Sequence, residues 1–247
     1  MKTTLNRLLK VGRANHLTTV QSEAVRDFEK YSPKKLENPD TTPEIQIYSK
    51  EELKALQRYL IDNPDGRYAN LLLLITVTGI RVGEAVALRV DDFTDDTVRI
   101  RKQERRTGTR YEIVPFAKTD ASRRDVVVPT AWQWLLPQIT KTHTEDGYIA
   151  VSRWKTRATT DAIRMRLRRV CEAAGIEYKS PHKIRKTVAT AMRGVVDDET
   201  IIRQLGHESI NVTRESYYRG SWQGTEDVVR KLNQVPALDS LPPENKI

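Results

Sequence analysis

Apolar positions along this chain keep two different spacings. Over residues 1–30, Leu5, Leu8, Leu9 and Val11, then Val20, Ala24, Val25 and Phe28, recur near helical intervals, which predicts helix. Pro33, Pro39 and Pro43 break that pattern, and residues 31–44 read as a linker. Ser49 stands three residues before Glu52, a capping-box arrangement that opens a helix expected to run through Leu60. Residues 71–77 are almost wholly apolar, so a more buried helix is expected over 68–77. Thr78-Gly79 interrupts it, and a third helix is expected from about Arg81 to Leu88.

From Asp96 the spacing changes to two. Residues 97–101, 111–114 and 125–128 alternate, with Gly108 and a turn at 119–122 between them, which predicts a small antiparallel sheet of about three strands. Helical spacing returns over 130–139, 158–174, 182–193 and 198–205. Residues 222–235, with Trp222, Val228, Val229 and Leu232, form a short amphipathic segment, and the tail 236–247 is expected to be disordered. Helices mostly segregated from a small sheet make an α+β domain over residues 45–235.

A chain of 247 residues can bury a core without staples, and its single cysteine, Cys171, excludes an intramolecular disulfide framework and fits a reducing compartment. The apolar run at 71–77 is too short to span a bilayer. Lys2, Arg7 and Lys10 are not followed by the apolar stretch of a secretory signal, so the expectation is a soluble cytoplasmic protein. The net charge of +9 is spread along the chain and points to a polyanion partner. A basic amphipathic helix suited to a membrane surface is not evident. On charge alone, Arg105, Arg106, Arg110, Lys155, Arg157 and the helix around 164–169 are candidates for DNA phosphate contacts.

Four stretches carry candidate chemistry, and each has an ordinary alternative. In Thr78-Gly79-Ile80-Arg81-Val82-Gly83-Glu84, Arg81 and Glu84 are spaced for a helical ion pair, but a cation at a helix N-terminus opposes the macrodipole and would instead help receive an anion. In Ser180-Pro181-His182-Lys183-Ile184-Arg185, Ser180 suits the N-cap, Pro181 the first helical position, and His182 and Arg185 share a face. In Leu205-Gly206-His207, the glycine suits a helix end, with His207 just beyond it. In Thr213-Arg214-Glu215-Ser216-Tyr217-Tyr218, the paired tyrosines serve packing or chemistry.

In this order, the four stretches resemble the catalytic domain of the tyrosine recombinases, also called phage integrases, over residues 45–235. That family carries an arginine in Thr-Gly-x-Arg-x-x-Glu, a hairpin lysine, His-x-x-Arg, Leu-Gly-His and a C-terminal tyrosine. The resemblance implies catalytic roles for Arg81, Lys118, His182, Arg185, His207 and Tyr217, with Glu84 supporting Arg81. Lys102 is the alternative lysine, and Tyr218 the alternative tyrosine. It further implies cleavage and rejoining of double-stranded DNA through a covalent 3′-phosphotyrosine, as in the integrase of a mobile element, without metal, ATP or other cofactor. Self-association into a tetramer on DNA follows from the same resemblance. Residues 1–44 resemble only the end of a helical core-binding domain plus linker, and the 222–235 segment is expected to dock either on a neighbouring protomer or on its own domain. A dimer resolvase, a type IB topoisomerase-like enzyme and a silent DNA-binding protein on the same scaffold are the competing readings.

Overall fold

The computed structural model describes residues 47–64, 67–116, 123–193, 195–206 and 225–236, with only the backbone of 225–227. The expectations for residues 1–44, for Lys118, for His207, Tyr217 and Tyr218, and for the tail beyond 236 lie outside the described residues.

Helix α1 (Lys50–Asp62) begins where the sequence places it. Ser49 Oγ accepts the Glu52 N–H at 3.1 Å, and Glu52 Oε2 accepts the Ser49 N–H at 2.7 Å, so two otherwise orphaned donors are satisfied. Its buried face, Leu53, Leu56, Gln57 and Leu60, packs on α2 (Ala69–Thr78). Helix α2 is buried around nearly its whole circumference and forms the centre of the core, as its all-apolar sequence requires.

The third helix is shorter than expected. Only Val82–Ala85 (α3) is helical, and the next N–H groups, of Ala87 and Leu88, bond three residues back to Glu84 and Ala85. The Leu88 carbonyl then accepts the Ile149 N–H at 3.2 Å, which draws the chain into a bridge between Arg89 and Tyr148 rather than another helical turn.

Among the described residues the sheet region has four strands in two separate antiparallel pairs, where the sequence suggests about three strands in one sheet. Strand β1 (Thr97–Ile100) pairs with β4 (Arg124–Val127), and β2 (Lys102–Thr107) pairs with β3 (Arg110–Pro115). Strand β2, Lys-Gln-Glu-Arg-Arg-Thr, escapes sequence reading because it has no apolar residue to alternate. Its pairing is carried by the backbone ladder and by Glu104, which is buried beneath it.

Two single-turn 3-10 helices, Val90–Asp92 and Thr130–Trp132, and α4 (Leu135–Thr140) lead to α5 (Thr160–Ala173), α6 (Pro181–Met192) and α7 (Asp198–Leu205). Tyr48 fixes the approach to α6: its hydroxyl donates to the Lys179 carbonyl at 2.5 Å and accepts the Lys179 N–H at 2.9 Å. Its own N–H reaches Thr187 Oγ1 at 3.0 Å. The amphipathic segment near the C-terminus forms α8 (Thr225–Leu232), which lies on its own domain. Leu232 and Val235 are buried, Asn233 Oδ1 accepts the Thr130 N–H at 2.9 Å, and Lys231 pairs with Asp197 at 2.8 Å. Among the described residues no helix is long and apolar enough to cross a membrane.

Asp197 ties α7 to α8. It caps α7 by accepting the Thr200 N–H at 2.8 Å and also meets Lys231. Desolvation works against its charge, but the Lys231 bond and the Thr200 bonds prevail and hold its pKa at about 2. Because this lies below the ordinary carboxylate value, the stabilisation is present above that value and is lost as pH falls towards 2. Asp197→Ala is expected to cost about 1 kcal/mol in urea denaturation at pH 7, and the gap from the wild type should close as the pH is lowered from 4 to 2 (roughly the interval between the two pKa values).

Candidate active site

The site is built around the C-terminal end of α2. Gly79 ends that helix in the left-handed region, with φ +67°, and a Cβ there would lie 2.9 Å from Leu205 Cδ2 and 3.2 Å from Val188. A glycine at this position therefore lets α6 and α7 close on the helix end. It also leaves the Gly79 carbonyl free to accept Arg185 Nη1 at 2.9 Å.

Arg81 occupies the N-cap position of α3, and Glu84 folds back onto it. Glu84 Oε2 accepts the Arg81 backbone N–H at 2.8 Å, and Oε1 accepts Arg81 Nη1 at 2.8 Å. The sequence spacing suggests an ordinary surface pair at these positions, but the Glu84 side chain has 0% exposure while Arg81 keeps 37%. The second guanidinium on Glu84 is Arg124 of β4, whose Nη1 and Nη2 reach Oε1 at 3.1 Å and Oε2 at 2.8 Å. Desolvation alone would raise the Glu84 pKa, but the bond and charge of Arg124, followed by Arg81, hold it below the usual carboxylate value.

These elements converge on the end of α7. Arg81 Nη2 donates to the Gly206 carbonyl at 3.1 Å, Arg185 Nη2 donates to the adjacent Leu205 carbonyl, and Arg124 Nε donates to the Gln204 carbonyl at 3.0 Å. Three consecutive carbonyls that a helix end would leave without partners thus each receive a guanidinium. Gln204 completes the joint as a side-chain rung on β4: Oε1 accepts the Val127 N–H at 3.1 Å and Nε2 donates to the Val127 carbonyl at 2.7 Å. Gly206 has φ +64°, a conformation that favours glycine, and a Cβ there would press on the Arg124 side chain at 3.0 Å.

The electrostatic balance is positive, since Arg81 and Arg124 share one carboxylate and Arg185 adds a third guanidinium. Arg185 is 2% exposed, and its guanidinium donates to the carbonyls of Gly79 and Leu205. Burial, followed by the charge of Arg81, pulls its pKa down to about 9, which leaves it cationic at pH 7. His182 lies one turn before Arg185 on α6 and remains exposed. Desolvation, then Lys186, Arg185, Arg81 and Lys183, lower its pKa, so its imidazole is neutral at neutral pH.

Of the residues singled out in the sequence, Arg81, Glu84, His182 and Arg185 are therefore brought to one end of α2, while Lys118, His207 and Tyr217 lie outside the described residues. Arg124 and Gln204 are the members that sequence reading missed. The signal for Arg124 was its position two residues before Val126 on a strand, where alternation points a charge inward with the core. The alternative lysine, Lys102, sits at the start of β2, paired opposite Pro115.

The charge-based candidates for DNA contact divide. Arg105, Arg110 and Lys155 are exposed and have no ion pair among the described residues. Arg106 is partly engaged: it donates to the Gly108 carbonyl at 3.0 Å and lies 3.6 Å from Asp161. Arg157 points inward, its side chain 17% exposed, and pairs with buried Glu104, which also accepts the Thr160 N–H at 2.8 Å. The physical reason is the buried Glu104 carboxylate, which requires a cation where the sequence suggested a phosphate contact.

A model described as the phage integrase family matches residues 47–223. The chain is 25% identical over 222 residues to a "Tyrosine recombinase XerC-like" protein of Caldanaerobacter subterraneus subsp. tengcongensis, a match covering 78% of this chain and 55% of that protein. It is 28% identical over 149 residues to a "Tyrosine recombinase XerC" of Corynebacterium efficiens, covering 60% and 45%. The chain thus spans about half the length of the curated relatives it matches. Among solved structures, the XerA recombinase superposes with a TM-score of 0.52 at 24% identity, over 75% of this chain and 62% of that one. The Tn1549 transposon integrase in complex with circular intermediate DNA superposes with a TM-score of 0.59 at 15% identity, over 94% and 84%. These superpositions establish the fold.

Two outcomes are expected from the geometry. Glu84→Ala would leave Arg124 buried without its carboxylate and should cost about 3–5 kcal/mol in urea denaturation; a loss under about 1 kcal/mol would mean that the cluster rearranges freely. In an NMR titration of imidazole resonances, the His182 midpoint is expected below 6.5, the ordinary value, and Lys186→Ala should raise it.

Proposed function

The chain belongs to the phage integrase family, and from that premise we propose that it is a site-specific DNA recombinase that breaks and rejoins strands through a 3′-phosphotyrosine on Tyr217. The observation that carries this reading is the anchoring of Arg81 and Arg185 on the adjacent carbonyls of Gly206 and Leu205, which sets two guanidiniums side by side. Paired planar forks of permanent charge suit the two non-bridging oxygens of a phosphodiester. Charge that develops on those oxygens during displacement then meets donors already in place, and such preorganised stabilisation usually contributes most to catalysis of this kind.

In this scheme Tyr217 Oη attacks phosphorus, the P–O5′ bond breaks and a P–Oη bond forms. His182, neutral at pH 7, takes the tyrosine proton, and Lys118 supplies a proton to the departing 5′-oxygen. His207 follows directly on Gly206 and adds a hydrogen bond to the same oxygens. The phosphotyrosine conserves the bond energy, so attack by a 5′-hydroxyl reverses the step without ATP. Glu84 serves by holding Arg81, and Arg124 by holding Glu84. Both act through position rather than by contact with DNA.

Double-stranded DNA is the substrate, with Arg105, Arg110 and Lys155 meeting phosphates and self-association into a tetramer at the exchange site. Residues 1–44 serve as the end of a core-binding domain and its linker to a catalytic domain of residues 45–235. Action as the integrase of a mobile element is the reading that membership of the phage integrase family favours.

Covalent trapping on nicked suicide DNA tests the reading. The wild type should give a protein–DNA band on a denaturing gel, and Tyr217→Phe should abolish it while retaining DNA affinity within about twofold. Loss only in Tyr218→Phe would move the nucleophile by one residue. Binding without any covalent band on any DNA would favour a silent DNA-binding protein.

A further inference from the structure

Helix α5 has a face that the active site does not use. Ala162, Met165, Arg166 and Arg169, at intervals of three and four residues, line one wall of a groove of about 1010 Å³. The other walls are the chain entering α2, the end of α4 and the segment 149–154. The groove opens at the N-terminal end of α2, whereas the catalytic arginines gather at its C-terminal end. Ten residues of helix separate the two, about 15 Å along the axis.

Two properties of this groove call for an occupant. Arg67, Arg153, Arg166 and Arg169 converge on it without an ion pair among the described residues, and Arg166 Nε is buried without a hydrogen-bond partner. Elsewhere, Arg81, Arg101, Arg124, Arg157, Arg164 and Arg203 each meet a carboxylate. The groove also carries the exposed large apolar side chains found among the described residues, Trp154 at 73% and Met165 at 59%, above a floor of buried Leu71 and Ile149.

We propose that the groove docks an acidic segment of a partner protein that carries an apolar anchor. Its carboxylates meet the four arginines, and its anchor packs against Trp154 and Met165. The charge is complementary, and the lining itself favours protein over duplex DNA. Arginine, tryptophan, tyrosine and methionine line the groove and lysine does not, which is the composition of a protein–protein contact. A duplex backbone is convex and offers phosphate and sugar, leaving an apolar floor unfilled. This surface is distinct from the phosphodiester site and does not rest on the assignment of Tyr217.

Fluorescence anisotropy of the full chain tests the proposal. The probe is a short fluorescein-labelled peptide of alternating Asp-Glu and Phe-Leu pairs, and a matching Asn-Gln peptide serves as control. Wild-type protein should bind the acidic peptide and not the amide control. Trp154→Ala and the double variant Arg67→Glu with Arg153→Glu should each weaken binding about tenfold or more. Both variants should keep the wild-type circular-dichroism melt and bind a labelled duplex within about twofold of wild type. Equal peptide affinity in wild type and variants would overturn the proposal. Parallel loss of duplex binding would also overturn it, by assigning the groove to the DNA path.

Discussion

Glu84 accepts four N–H donors on two oxygens at 0% exposure: the backbone and guanidinium of Arg81 and both terminal nitrogens of Arg124. A carboxylate in that position is held against a desolvation penalty of several kcal/mol, and only near-complete hydrogen bonding offsets it. The requirement acts on the rest of the domain. It fixes the turn from α2 into α3, keeps β4 against α7 through Arg124 and Gln204, and leaves Arg81 with one side toward solvent. The C-terminal end of α2 is thus held by charges whose burial demands these partners.

The same constraint explains the sign of the site. One carboxylate shared by the guanidiniums of Arg81 and Arg124, with that of Arg185 beside them, neutralises part of the cluster's charge, enough to permit burial and too little to remove the attraction for an anion. Arg185 is supported by carbonyl dipoles instead, from Gly79 and Leu205, so its charge is oriented without being cancelled. Desolvation and the positive surroundings also favour a neutral His182.

Much of this was legible in local sequence. The Ser49 and Glu52 capping box, the apolar run of α2, Ser180-Pro181 at the start of α6 and Gly206 at the end of α7 each speak through neighbours within one or two turns. The short α3 and strand β2 were not legible, for related reasons. The helix pattern through Leu88 is intact, but a bridge to Tyr148 competes for that backbone, and β2 has no apolar alternation to reveal it. Arg157 illustrates the limit of charge counting, because a basic residue reads the same whether a phosphate or Glu104 lies in front of it.

The sequence by itself determined the identity and order of Arg81, Glu84, His182 and Arg185, the α+β character and the basic balance. Those follow from residue type and short-range spacing. Only the tertiary structure decided that Arg124, 40 residues from Glu84, completes its coordination, and that Arg81 reaches a carbonyl 125 residues away while Arg185 reaches one 106 residues away. It likewise decided that α8 seats on its own domain, through Lys231 and Asn233. Partners so distant along the chain leave no periodic signal, since what selects them is the free energy of burying charges and dipoles together once the core has closed.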